Sequence, residues 1–101
     1  MKYVYTAIFY TDPTENNKNL LSVKFPDLPG CLTCGDDLPD ALEMAEDAFC
    51  LWLYHMEEEN RDIPDPTPPQ NIKAEDSSFI SVISVDTNYY RKFYANQSQV
   101  N

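Results

Sequence analysis

The chain has 101 residues, 17 acidic side chains against 7 basic ones, a single His and a formal net charge of −10. That length suits one domain with one core, and 43% apolar with 13% aromatic residues is enough to fill it, which excludes global disorder. The charge excludes a phosphate-tracking surface, because nucleic-acid binders carry a basic footprint; it equally disfavours an anionic membrane and leaves a basic protein as the natural complement.

Tyr3 to Tyr10 is rich in aromatic and β-branched residues, which suit a pleated surface. Both of its parities are fairly apolar, so it reads as a central strand covered on at least one side. It is too short for a signal-peptide core, no apolar run approaches the ~18 residues of a membrane span, and three cysteines make no tidy disulfide set. A soluble protein of a reducing cytoplasm is expected. Asp12 to Asn17 is a turn cluster, and Leu20 to Phe25 reads as the second strand of a hairpin. Two prolines in Phe25-Pro26-Asp27-Leu28-Pro29-Gly30 remove ladder donors and break the strand. Cys31 to Cys34 is a short extended segment that Gly35 ends.

The clearest helix signal follows. Asp37 is placed to cap, Asp40 supplies an acid three residues on, and Pro39 fits the first turn. Apolar residues at Leu38, Ala41, Leu42, Ala45, Ala48, Phe49, Trp52, Leu53 and Met56 form a stripe of about five turns. Trp52, Phe49 and Leu53 are expected to plug the helix onto the sheet. Glu57-Glu58-Glu59 fray it, and Ile63-Pro64 stops it. Residues 61–77 hold four of the eight prolines and read as an extended loop. Phe79 to Val85 is apolar on both parities except at Ser81 and Ser84, and long enough to pair centrally. The tail from Asp86 ends in residues 95–101, which have no periodic apolar face. The order is β-β-β-α-β, an α+β fold with one long helix packed on one face of the sheet.

Residues 36–62 hold ten acids and one base, a net of −9, whereas the rest of the chain nets −1. The acidity therefore belongs to one helix and its ends. It is either a solvated face or a surface that steers a basic partner.

Little else carries chemistry. Cys31-Leu32-Thr33-Cys34 lacks two further zinc ligands in reach, its only soft companions being Cys50 and His55, and on a strand its two thiols point to opposite faces. It reads as unpaired small hydrophobes. His55 has no nucleophile placed to use it and reads as a surface histidine. Asp86 with the helix carboxylates Glu43 and Glu46 is the best candidate for divalent-metal nucleolysis, yet the first strand contributes no acid. Two glycines in all leave no phosphate-cradling loop.

Residues 3–93 nevertheless have a family look. Phe25-Pro26-Asp27-Leu28-Pro29-Gly30-Cys31, then Thr33, Gly35-Asp36 and Ala41-Leu42-Glu43-Met44-Ala45, strongly resemble the HicB-like antitoxins. So do Leu51-Trp52-Leu53, the exit Ile63-Pro64-Asp65-Pro66, the Tyr5–Phe9 and Val82–Asp86 strands, and Tyr90-Arg91-Lys92. The resemblance implies a partial, catalytically degenerate RNase H-like domain that neutralises a small basic ribonuclease toxin, HicA, by binding it. It implies no catalytic residue, no cofactor and no metal, and a homo-dimer or higher homo-oligomer. Family members commonly continue into a DNA-binding module. This chain ends at Asn101, about where such a module begins, and Cys34 is an unusual residue at its position. The expected organisation is a HicB-like domain over 1–93 and a polar tail over 94–101 leading to an absent module, with no direct nucleic-acid binding by the domain itself.

The expected partner contacts are Asp40, Glu43, Asp47, Glu57 and Glu58 on the outer helix face, with apolar burial around the Pro26–Gly30 loop. The alternatives are a divalent-metal nuclease of RNase H-like fold, or a stand-alone dimerisation domain.

Overall fold

The computed structural model describes residues 1–12, 14–17 and 19–92. Strand β1 (Lys2–Tyr10) pairs antiparallel with β2 (Leu21–Lys24), and β2 pairs antiparallel with β3 (Leu32–Gly35). Helix α1 (Leu38–Glu58) follows, then a long connection containing one 3-10 turn (Pro69–Asn71), and finally β4 (Ser78–Asp86), antiparallel to β1. The sheet order is β3-β2-β1-β4. Residues 87–92 are helical, a turn of structure that the sequence pattern did not announce. The expected polar tail, 94–101, lies outside the described residues.

The helix forms where its caps and stripe place it. Asp37 accepts from the Asp40 amide at 3.0 Å, and the Asp40 carboxylate accepts from the Asp36 amide at 2.8 Å, so one unpaired amide of the first turn is satisfied and the chain just before the cap is tied back to it. Ala41, Ala45, Phe49, Leu53 and Met56, spaced by fours and a three, are buried and lie along one helix face. They meet Tyr5, Ala7 and Phe9 from β1, Val23 from β2 and Ile83 from β4 in one core. Phe49 is its hub, edge-on to Tyr5 at 5.2 Å and stacked on Phe25 at 4.8 Å, arrangements that aromatic quadrupoles favour. The small Ala41 and Ala45 let the helix ride close to the sheet: a Cβ at Gly35 would sit 2.3 Å from the Ala41 amide nitrogen.

Three expectations need correction. β1 is central, but among the described residues β4 is an edge strand with β1 as its one neighbour; the connection leaving α1 returns on the far side of β1, and no fifth strand among those residues flanks it. Its two-sided apolarity therefore leaves Phe79, Ile80 and Val82 exposed. Leu38 is also exposed, because it precedes the turn at which the helix meets the sheet. Phe49 and Leu53 do plug the helix onto the sheet, whereas Trp52 is half-buried to one side with its indole against Gly30.

Candidate partner-binding surface

The Phe25–Cys31 motif is a compact hairpin closure. Its backbone is closed by Leu28 N–H to the Phe25 carbonyl and Cys31 N–H to the Leu28 carbonyl, each at 2.9 Å. Phe25, Leu28 and Cys31 point into the core. Asp27 does the tethering: its two carboxylate oxygens accept from the Thr67 amide at 2.8 Å and the Thr67 hydroxyl at 2.6 Å. That bond pins the proline-rich connection to the β2–β3 turn, and Tyr5 adds a second tether by donating its hydroxyl to the Pro64 carbonyl. Gly30 takes φ +96°, a conformation glycine adopts without steric cost. A side chain there would also meet Trp52 at 3.1 Å. Of the expected apolar contact loop, then, Leu28 is already spent on the chain's own core, and Pro26, Pro29 and Gly30 form its exposed rim.

The acids divide into two sets. Asp40 is a capping residue. Glu43 and Asp47 are exposed on the same helix side, and among the described residues no hydrogen bond or ion pair engages them. Glu57 and Glu58 have work inside the chain. Glu57 accepts from Tyr3 Oη at 2.7 Å, Thr87 Oγ1 at 2.9 Å and Arg91 Nη2 at 2.9 Å. Glu58 receives the other guanidinium nitrogen, and the guanidinium lies 5.0 Å over the Tyr54 ring, a favourable cation–π distance. Desolvation pushes the Glu57 carboxyl up, but the hydrogen bonds from Tyr3, Thr87 and Arg91 outweigh it and the net shift is downward. Burial first, and the Glu57 carboxylate second, push the Tyr3 phenol up to about 12. Thr87, fully buried, also donates its amide to the Met1 carbonyl at 3.0 Å, so both ends of the described chain converge on this carboxylate.

Two apolar grooves flank the outer helix ridge at Ala48 and Leu51. One, of about 550 Å³, lies between the helix and the β2–β3 side and is lined by Gly30, Leu32, Leu51, Trp52 and His55 among others. The second, of about 540 Å³, is lined by Met44, Asp47, Ala48, Leu51, Tyr89 and Tyr90. Tyr89 is 77% exposed. Asp47 thus stands at the rim of an apolar hollow on the same helix as the other acids, a combination that residue-by-residue reading missed. Leu51 and Tyr90 stood in the family pattern, but nothing in their spacing reveals that residues 87–92 fold back onto α1.

The remaining candidates stay apart. Cys31 and Cys50 are buried and Cys34 exposed, all as free thiols, with the Cys31 thiol pushed up to about 11 by burial. His55 is exposed. Asp86 accepts from the Asn88 amide at 2.9 Å and from the Met1 amine at 3.2 Å, bonds that together hold its carboxyl below the usual range. Among the described residues no group of three or more His, Cys, Asp or Glu side chains is placed to hold a metal ion, and no helix is long and apolar enough to cross a membrane.

A family described as HicB_like antitoxin of bacterial toxin-antitoxin system matches residues 8–101. The chain is 40% identical over 53 residues to "Antitoxin HicB 2" of Photorhabdus laumondii, covering 52% of this chain and 38% of that relative; it therefore spans well under half of the curated relative's length. Its fold is similar to a chain of a toxin-antitoxin complex from Streptococcus pneumoniae, with a TM-score of 0.78 and 26% identity over 89% of this chain and 73% of the other. It also resembles a chain of a HicA3 and HicB3 toxin-antitoxin complex, with a TM-score of 0.65 and 20% identity over 83% of this chain and 99% of the other.

Proposed function

Because the chain belongs to the HicB-like antitoxin family, we propose that it is the antitoxin of a type II toxin-antitoxin system, acting in the cytoplasm by binding and neutralising a small basic, HicA-like ribonuclease toxin. The single observation that carries the mechanism is the pair of exposed acids Glu43 and Asp47, one helical turn apart, of which Asp47 lines the apolar groove formed with Met44, Leu51 and Tyr89 on α1. A ribonuclease must present cations to RNA phosphates, and carboxylates arrayed on a rigid helix satisfy the same cations. The acids steer encounter and set register, while apolar anchors in the grooves supply the slow dissociation. Asp40 extends the row from the helix N-terminus. Glu57 and Glu58 add negative field at the other end, partly neutralised by Arg91. No catalytic group, metal or cofactor enters this reading, and residues 1–93 act as one toxin-binding domain that does not itself engage nucleic acid. The fold likeness to chains of toxin-antitoxin complexes supports it.

The test is titration of this chain into a HicA-like ribonuclease encoded beside its gene, followed by RNA cleavage. Stoichiometric loss of cleavage is expected, with association slowed at least 10-fold in the double variant Glu43→Lys/Asp47→Lys and slowed by salt in the parent. Undiminished cleavage at molar excess would sink the proposal.

A further inference from the structure

The segment after β4, Thr87 to Lys92, is helical and is anchored at two points one turn apart. At its start Thr87 is fully buried, its hydroxyl donating to Glu57 at 2.9 Å and its amide to the Met1 carbonyl at 3.0 Å. At its end Arg91 lays its guanidinium 5.0 Å over the Tyr54 ring and forks between Glu57 and Glu58. The first anchor belongs to the core, whereas the Arg91 side chain is 42% exposed, so Arg91 is the separable one. Tyr89 and Tyr90 lie between the anchors, with Tyr90 packed on Tyr54 at 5.4 Å. Both tyrosines wall the groove floored by Met44, Ala48 and Leu51, and a contiguous hollow of about 310 Å³ that adds Glu46 and Asp86. Asp47, Leu51, Tyr54 and Glu58 follow one another by fours and a three, so a single side of α1 carries both the groove and the Arg91 anchor.

We propose that Arg91 is a positioning residue for toxin binding: by clamping residues 87–92 onto α1 it holds the tyrosine wall of this groove, and the groove seats one lysine or arginine side chain of the toxin. This seat, which rests on the toxin reading above, places the apolar anchor in one of the two grooves. The wall stands only while Arg91 is engaged. Toxin binding and docking of residues 87–92 are therefore coupled, each favouring the other by the same factor.

Charge and shape identify the occupant. No lysine or arginine lines the groove or its contiguous hollow. Of their three carboxylates, Asp86 is paired with the Met1 amine at 3.2 Å, which leaves the exposed Glu46 and Asp47 for a cation from outside. The other groove carries its own cation, Arg61, 3.6 Å from Glu59, and so offers a basic partner no net charge. Long cationic side chains bury an apolar stem while the charged head stays near water. Met44, Leu51 and the Tyr89 ring suit the stem, and Asp47 at the rim suits the head. Tyr89 is 77% exposed, so its ring contributes little to the chain's own core and presents a face to the cation.

Two measurements test it: binding of the full chain to the HicA-like ribonuclease encoded beside its gene, and chymotrypsin cleavage of the full chain alone. Arg91→Gln makes the chain more acidic, so a purely electrostatic role for Arg91 predicts tighter binding of a basic toxin. The positioning role predicts the opposite sign, a loss of about 10-fold or more through faster dissociation. Without toxin, cleavage after Tyr89 and Tyr90 is expected to run about 10-fold faster in that variant, because it follows the undocked population. Adding the toxin is expected to slow that cleavage in the parent. Tyr89→Ser, at an exposed position where folding is not at risk, is expected to weaken binding comparably and decides the matter if Arg91→Gln does not fold. Binding by Arg91→Gln that is unchanged or tighter, cleavage unchanged in that variant, or a smaller loss for Tyr89→Ser than for Leu32→Ser in the other groove overturns the proposal. A parent chain that binds no toxin overturns the toxin reading itself and the cation seat with it, while cleavage of the chain alone still decides whether Arg91 is the clamp.

Discussion

Replacing Glu57 by Gln removes one charge while keeping the length of the side chain. In the structure, Glu57 Oε2 receives both the Tyr3 and the Thr87 hydroxyls, and Oε1 receives Arg91. The amide keeps one acceptor and turns a donor toward a neighbour that is itself a donor, so at least one partner is left unsatisfied. Hydrogen bonds to a charged group are worth about 1.5–3 kcal/mol each and are not additive. The Arg91 contact is discounted, because its side chain is 42% exposed and exposed ion pairs contribute about 0–1 kcal/mol. The expected cost is about 2–3 kcal/mol at neutral pH, a lowering of the melting temperature by roughly 8–24 °C for a domain of this size.

Urea unfolding followed by Trp52 fluorescence measures it, and two further readouts isolate the mechanism. The Tyr3 phenol, raised to about 12 by burial first and by Glu57 second, should fall in the variant without reaching its ordinary 10.0. The pH dependence has a definite sign. The folded-state carboxyl is lowered from its ordinary 4.5, so its stabilisation is fully present above that value and disappears as pH falls through the folded-state value. Parent and variant should therefore differ most near neutrality and converge in acid. A difference under about 0.5 kcal/mol at pH 7, the level of an ordinary surface substitution, or a gap unchanged into acid, refutes the reasoning.

Gly35→Ala forces a Cβ to 2.3 Å from the Ala41 nitrogen and 2.4 Å from its Cα. Backbone atoms cannot step aside as a side chain does, so a loss of about 3 kcal/mol or more is expected on thermal unfolding; a loss under 1 kcal/mol would show that helix and strand can part. Asp27→Ala removes both bonds to Thr67 and should cost about 1–3 kcal/mol, with faster amide exchange at Thr67 as its local signature. With a thiol reagent at mildly alkaline pH, Cys34 should react at once and Cys31 and Cys50 after unfolding, since these two are buried and burial raises both thiols. Equal rates for all three would contradict the burial.

The helix and its start were legible because capping is local: Asp37, Pro39 and Asp40 act on backbone groups within one turn. The Phe25–Cys31 closure was equally legible, since two prolines and a glycine dictate it. The role of Asp27 was not, because Thr67 lies 40 residues away and no local rule links them. The candidate acids show the same division. Their count and location can be read along the chain, but Glu57 looks like Glu43 until Tyr3, Thr87 and Arg91 close around it. β4 was misplaced for a related reason: apolar residues on both parities report that both faces want cover, and say nothing about how many strands flank it.

By itself, then, the sequence determined the order of the four strands and the long helix, the family, and the concentration of −9 of the −10 charge in residues 36–62. These follow from side-chain periodicity, backbone stereochemistry and composition, which act over a few residues. The tertiary structure decided which acids are free. It engaged Glu57 and Glu58 with Arg91, left Glu43 and Asp47 facing solvent with Asp47 at the rim of an apolar groove, and placed β4 at the edge of the sheet. Those outcomes depend on contacts between residues 30 to 85 positions apart, where burial and partner geometry, not residue type, set whether a charge is structural or available.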